Sequence, residues 1–184
     1  MHVRNVVATR EDLVNRHSAS ARAKWTLVLL CFSMAAAIGG GLFEHLVLVP
    51  IWSASPPTSF AIIQPDTGVP LQSFWIPVHG AITVFIVLSL FLTWRQPRVR
   101  RLLLIGLCSY IVMRAWSFAF FIPEMLAFQQ IPTGAAPSVE LSARVQSWTL
   151  WSVFREPLDV VTFLSWLLAL SWLGVPDSRG EGAS

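Results

Sequence analysis

Four long apolar stretches, at 25–49, 75–94, 102–122 and 148–172, alternate along the chain with segments rich in charge, proline and glycine. Each stretch has 20 residues or more, enough as a helix to cross a hydrocarbon core of about 30 Å. Inside lipid the backbone must satisfy its own polar groups, so helices are required. The pattern predicts an all-α, four-helix transmembrane bundle spanning 25–173, with a polar segment at 1–24 and a polar tail at 174–184. Within the first segment, Leu13 to Ala23 has the spacing of a short amphipathic helix on the membrane surface. A basic stretch ahead of an apolar run, with Ala35, Ala36 and Ala37 inside it, resembles a signal peptide. The apolar run continues past those alanines, which predicts an uncleaved first span.

Charge sets the expected orientation. Five basic residues precede the first span, four (Arg95, Arg98, Arg100, Arg101) separate the second from the third, and one lies in the tail. The loops 50–74 and 123–147 hold only Arg144. By the positive-inside rule both termini are cytoplasmic and two long loops lie outside, as in a bacterial inner (plasma) membrane. Trp25, Trp94 and Trp172 then mark the inner interface, and Trp52, Trp75 and Trp148 the outer one. The chain is 54% hydrophobic and only 12% charged, and soluble domains carry about twice that charge. The net charge of +3 is therefore read as topological, and nucleic acid is excluded as a partner. The expected partners are the lipid bilayer and a lipophilic small molecule, with homo-oligomerisation left open. Cys31 and Cys108 lie in apolar runs and read as small buried residues.

Small residues at Ala35–Ala37 and Gly39–Gly41 give the first span a face that a neighbouring helix can approach closely. Pro50 is expected to close that span, and Pro123 with Glu124 to end the third. The two prolines, each followed by a loop of similar length, hint at a two-plus-two repeat.

The chemistry is carried by ionisable residues inside the spans, where charge is costly and marks function by default. The fourth span holds Arg155, Glu156 and Asp159 within five positions, around Pro157, which predicts a kink. Glu44 and His45 lie near the outer end of the first span, His79 near that of the second, and Arg114 beyond the middle of the third. All fall in the same half of the expected bilayer. Arg155 and Asp159, at i and i+4, are expected to pair on one helix face with Trp148, Trp151 and Ser152, and Glu156 to face the third span. Trp116, Phe118, Phe120, Phe121, Trp148 and Trp151 would line the chamber, with Glu124 at its mouth.

Three readings follow. One is a membrane-embedded oxidoreductase or oxygenase for an aromatic or quinone-like lipophile. In it Glu44–His45 or His79 is the base, Arg114 and Arg155 hold a developing oxyanion, and Asp159 partners Arg155; Trp116, Phe121, Glu124, Trp148, Trp151 and Glu156 contact substrate. The second is a non-catalytic ligand-binding or assembly subunit in which pairs such as Arg114–Glu44 and Arg155–Asp159 fix helix register. The third is a haem or metal-ion protein using Glu44, His45, His79, Glu124 and Glu156, although no ExxH or HxxxH pair is present.

The residues Gly39-Gly-Gly-Leu-Phe-Glu-His-Leu-Val-Leu-Val-Pro50-Ile-Trp52, Phe121-Ile-Pro123-Glu124-Met125, and Trp148 followed by Arg155 resemble the anthrone-oxygenase-like family of small four-helix membrane proteins. The chain departs from that family after the third-span proline, where Glu124-Met125 replaces an asparagine-rich turn. The resemblance implies cofactor-free conversion of an anthrone to an anthraquinone, with Arg155, His45 and Glu44 as the matching site positions.

Overall fold

The computed structural model describes residues 10–175, with side chains from residue 20 onward, and it is all-helical: no strand occurs among the described residues. Helix α1 (10–52) begins in the polar segment and runs without a break into the first apolar stretch, so the expected surface helix at 13–23 is its first turns. A looser segment with a 3-10 turn at Thr58–Ile63 leads to α2 (Gln72–Thr93). A tight basic turn leads to α3 (Pro97–Gln129), and α4 (Val139–Val153) and α5 (Glu156–Ser171) complete the chain. Three helical stretches, Ser20–Trp52, Gln72–Thr93 and Pro97–Gln129, are long and apolar enough to cross a membrane.

The fourth apolar stretch is not one helix. Pro157 has no N–H to give the carbonyl four residues back, and the ladder stops there. The chain closes α4 with tight turns, Phe154 N–H to Trp151 O (3.2 Å) and Arg155 N–H to Ser152 O (3.3 Å), then restarts with Pro157 in the first turn of α5. Proline is tolerated in that position. The expected kink is thus a complete break. The two pieces, α4 and α5, are too short to cross a membrane separately. At a rise of about 1.5 Å per residue, each falls well short of a hydrocarbon core about 30 Å thick.

Pro50 and Pro123 behave differently. Neither ends its helix, because each is preceded by a widened π-turn, at Glu44–Leu48 in α1 and Ser117–Phe121 in α3. The turn is closed by Val49 N–H to Glu44 O in one case and Ile122 N–H to Ser117 O in the other, both five residues back. The extra residue relieves the clash of the proline ring with the preceding turn, and the helix continues to Trp52 and Gln129. Each proline stands two residues beyond its π-turn, so the two halves share a backbone device that their side chains do not reveal.

Two apolar cores hold the molecule. The larger joins α1, α2, α3 and α5 through Leu27, Leu30, Met34, Ile82, Leu103 and Trp166. Close approach is built in at two glycines: a Cβ at Gly106 would collide with the Trp166 ring, and one at Gly40 with the Phe74 ring. Gly106 lets the helices come close enough for Trp166 to donate its indole N–H to Leu103 O (3.2 Å) across the α3–α5 contact. The smaller core is aromatic, with Trp52, Phe60, Phe121, Phe128 and Trp148 meeting between α1, the 3-10 turn, α3 and α4. Trp52 and Trp148, expected at a membrane interface, are completely or almost completely buried there, at 0% and 3% exposure. The connection 53–71 folds over this core as a cap, with Ser59 Oγ donating to Trp52 O (2.6 Å) and Gln64 Nε2 to Ile131 O (3.2 Å).

Candidate functional site: a polar layer between two apolar cores

The polar side chains gather in the layer between the cores. The π-turn of α1 presents Glu44, whose Oε2 accepts the indole N–H of Trp75 from α2 (3.0 Å). Trp75 stacks on His79 one turn later, with ring centroids 5.5 Å apart and planes inclined by 15°. His79 Nδ1 lies 2.9 Å from the Tyr110 hydroxyl on α3. That hydroxyl also faces Arg114, four residues on. Glu44, Trp75, His79, Tyr110 and Arg114 thus form one continuous chain of polar and aromatic contacts across three helices.

Arg155 enters from the break between α4 and α5. Its guanidinium lies 4.0 Å from the centroid of the Phe121 ring and 5.9 Å from that of Trp148, and Nη1 donates to Ser117 Oγ (3.3 Å). The Ser117 hydroxyl in turn donates to Met113 O (2.9 Å). A cation over an aromatic face is stabilised by the ring quadrupole, more so away from water. Arg155 also interacts electrostatically with Glu44, Arg114, Asp159 and Glu156, and Arg114 with Asp159. The charges of α1, α3 and the α4–α5 break therefore share one region, together with His79 of α2.

Within that region the charges do not close into pairs. Among the described residues neither Arg114 nor Arg155 has a carboxylate oxygen within 4.0 Å, so the expected Arg114–Glu44 and Arg155–Asp159 pairs are not formed. For the second, Arg155 still stands one turn before Asp159, its carbonyl accepting the Asp159 N–H (3.3 Å), but its guanidinium is taken up by Phe121 and Ser117 instead. Arg114 Nε, Arg155 Nε and Asp159 Oδ1 are buried with no hydrogen-bond partner. Buried polar groups are nearly always satisfied, and an orphan asks for an explanation such as a ligand or water that meets it. Glu156 faces α1 and not α3: a Cβ on Gly41 would sit 3.5 Å from Glu156 Oε1.

Other expected site residues fall elsewhere. His45 is half-buried beside Glu44 but bonds to none of these groups, and Glu44 is engaged by Trp75 instead. Glu124 pairs with Arg144 on the rim (Nη2 to Oε2 2.9 Å), away from the polar layer. Trp116 packs edge-on against Trp151 and tilted against Phe121, a shell behind the site. Trp151 and Phe118 are exposed, turned outward by the helix register. Trp148 and Phe121 do form the wall under Arg155, with the Trp148 indole donating to Phe121 O (3.1 Å). Cys31 is buried as expected, whereas Cys108 is exposed on the outside of α3. Among the described residues no three His, Cys, Asp or Glu side chains group as a metal site would require.

Tyr110, Trp75 and Ser117 belong to the site and were not among the expected residues. A signal for Tyr110 existed: it is the chain's single tyrosine, one helical turn from Arg114. Comparison with family models, curated proteins and solved structures gives no match.

Proposed function

We propose that the chain is an integral membrane protein with four crossings and both ends on the cytoplasmic side of a bacterial plasma membrane, and that its polar layer is the active site of a cofactor-independent oxygenase for an aromatic, quinone-like lipophile. Membrane insertion is supported by the three apolar helices of sufficient length. Orientation is supported by the basic count and by Trp25, Trp94 and Trp172, which stand exposed together at the arginine-rich end. The anthrone-oxygenase-like resemblance supports the reaction class.

The observation that carries the reading is the pair of arginines whose buried Nε–H groups have no acceptor, facing a histidine held between a tryptophan and a tyrosine. Donors left open in a water-poor layer stabilise an oxygen anion that forms there. In the tautomer with the proton on Nδ1, His79 donates to the Tyr110 oxygen and leaves Nε2 as base. It takes a proton from an activated methylene, and Arg114 and Arg155 hold the resulting phenolate. Dioxygen is the oxidant, and one methylene plus one O2 gives one carbonyl plus one water.

The test is a hydroxylated anthrone supplied to the purified protein in nanodiscs, with oxygen uptake and quinone absorbance followed together. The expected result is one O2 consumed per quinone, with His79→Gln reducing the rate by about 10²–10⁴-fold and Arg155→Gln by about 10²–10³-fold. Quinone appearing no faster than in empty nanodiscs would overturn the reading.

A further inference from the structure

An open concavity of about 470 Å³ runs along the outside of α3 from its first turn, lined by Pro97, Arg100, Arg101, Leu104, Ile105 and Cys108. Positions 97, 101, 104 and 108 recur every three or four residues, so they share one helix face. That face is divided along its length. The first turn carries two guanidinium groups, and the turns after it carry Leu104, Ile105 and Cys108, all exposed. From Arg101 to Cys108 the helix rises about 10 Å. Charge at this end is unbalanced. The connection from Trp94 to Arg101 holds Arg95, Arg98, Arg100 and Arg101 and no acid. Arg98 stands over the Trp172 ring and Arg100 over the Trp94 ring, with Arg100 Nη1 donating to Trp94 O (3.1 Å). Arg95 and Arg101 are exposed and make no ion pair among the described residues.

The placement of these arginines runs against the helix. The first turn of α3 has no acid and its N-terminus no side-chain cap. A helix start carries partial positive charge and favours anions, so arginines gathered on it raise the positive potential further, and the turn itself supplies nothing to lower it. An anion is called for, and the exposed apolar turns beside it say of what kind. Free phosphate would leave Leu104, Ile105 and Cys108 bare. A zwitterionic lipid head brings a cation of its own to the arginines. A phospholipid with a net negative head meets both halves, its phosphate at Arg100 and Arg101 and one acyl chain along the apolar turns. Trp94, 54% exposed beside them, is a residue suited to headgroup depth. We propose that this face of α3 is a binding site for one phospholipid with a net negative head, from the leaflet at the arginine-rich end. The inference rests on the membrane insertion proposed above and is independent of the reaction assigned to the polar layer.

The probe is phosphatidylglycerol, with the full chain in nanodiscs of equal phosphatidylcholine and phosphatidylglycerol and the retained lipid read by native mass spectrometry. A single phosphatidylglycerol should stay on each chain, preferred over phosphatidylcholine by about tenfold or more. Arg101→Gln should lower that preference about fivefold, and Arg100→Gln with Arg101→Gln should bring it close to parity. Arg101→Lys should keep most of it, which separates lost charge from lost folding. Arg95→Gln, in the same connection but outside the concavity, should change it by less than about twofold, because an exposed charge away from the phosphate is screened by salt. Phosphatidylglycerol with a diazirine in one tail should give adducts at Leu104, Ile105 or Cys108 that soluble glycerol phosphate does not displace. Equal losses at Arg95 and Arg101 would mean diffuse attraction to a charged end and would overturn the site. Adducts spread over the exposed faces of all helices, or displacement by glycerol phosphate, would do the same. A chain extracted from its membrane by alkaline carbonate would remove the membrane reading and this proposal together, whereas a chain that stays embedded and shows no lipid preference would overturn the proposal alone.

Discussion

The two ends of the bundle use tryptophan for opposite purposes. At the arginine-rich end Trp25, Trp94 and Trp172 are 66%, 54% and 41% exposed. Two of them carry guanidinium groups on their faces: Arg98 stands 5.1 Å from the Trp172 ring and Arg100 5.0 Å from the Trp94 ring. At the other end Trp52 and Trp148 meet edge to face with centroids 5.1 Å apart, and Phe60, Phe121 and Phe128 close around them. One end is made to lie in an interface, where an amphipathic ring with a nearby cation is at home. The other is made to exclude solvent from the polar layer beneath it. Composition and spacing make the two ends look alike; what separates them is the connection 53–71, which folds back as a cap and gives the second set of rings something to pack against.

The difference can be broken most forcibly at Trp52. Trp52→Ala should cost about 3–5 kcal/mol, read as a fall in the unfolding midpoint in mild detergent, whereas a loss under about 1 kcal/mol would mean that the cap is not a core. Gly106→Leu tests the larger core by driving a side chain into Trp166. Overpacking should cost about 1–3 kcal/mol and weaken protection from hydrogen exchange in α5 more than in the cap. Ser117→Ala acts in the layer between them by removing an acceptor from a guanidinium over Phe121. The expected loss is about 1–3 kcal/mol, and a double-mutant cycle with Arg155→Gln should show that most of it depends on Arg155. On the rim, Arg144→Ala should cost no more than about 1 kcal/mol and less at high salt, since its bond to Glu124 is partly solvated. Smallest of all, Trp94→Ala should change stability by about 0.5 kcal/mol or less, shifting instead how the protein seats against anionic vesicles. Equal effects at Trp94 and Trp52 would erase the contrast.

Much of the architecture was readable in advance because helical spans in lipid leave little choice. The apolar runs, the basic connections and the gathering of Glu44, His79, Arg114 and Arg155 in one region all follow from composition and periodicity. The small-residue stretch likewise announced the close contact at Gly40, although Gly39 faces open space and Gly41 leaves ordinary room. What escaped was decided by backbone geometry and long-range packing. A proline in a helix reads as a terminus, and Pro50 and Pro123 show that one widened turn is enough to carry the helix past it. The same residue type at Pro157 does interrupt the ladder, and Arg155, still one turn before Asp159, sends its guanidinium to Phe121 and Ser117 of α3 instead. Trp52 could not be told from an interfacial tryptophan, since its burial depends on Phe128 and Trp148, which are distant in sequence. The chemistry of the layer was legible as a set of residues and illegible as a set of contacts: Glu44 bonds Trp75 and not His45, and the tyrosine that orients His79 carried no charge to draw attention.

The interruption between α4 and α5 has a consequence for how the protein is made. Neither α4 nor α5 alone offers an insertion machinery a segment as long as the bilayer is thick, and the junction between them carries Arg155 and Glu156. On the proposed four-crossing reading, such a segment would enter lipid together with the earlier helices, whose side chains receive its charges. Assembly of α4 and α5 would then be coupled to completion of the polar layer.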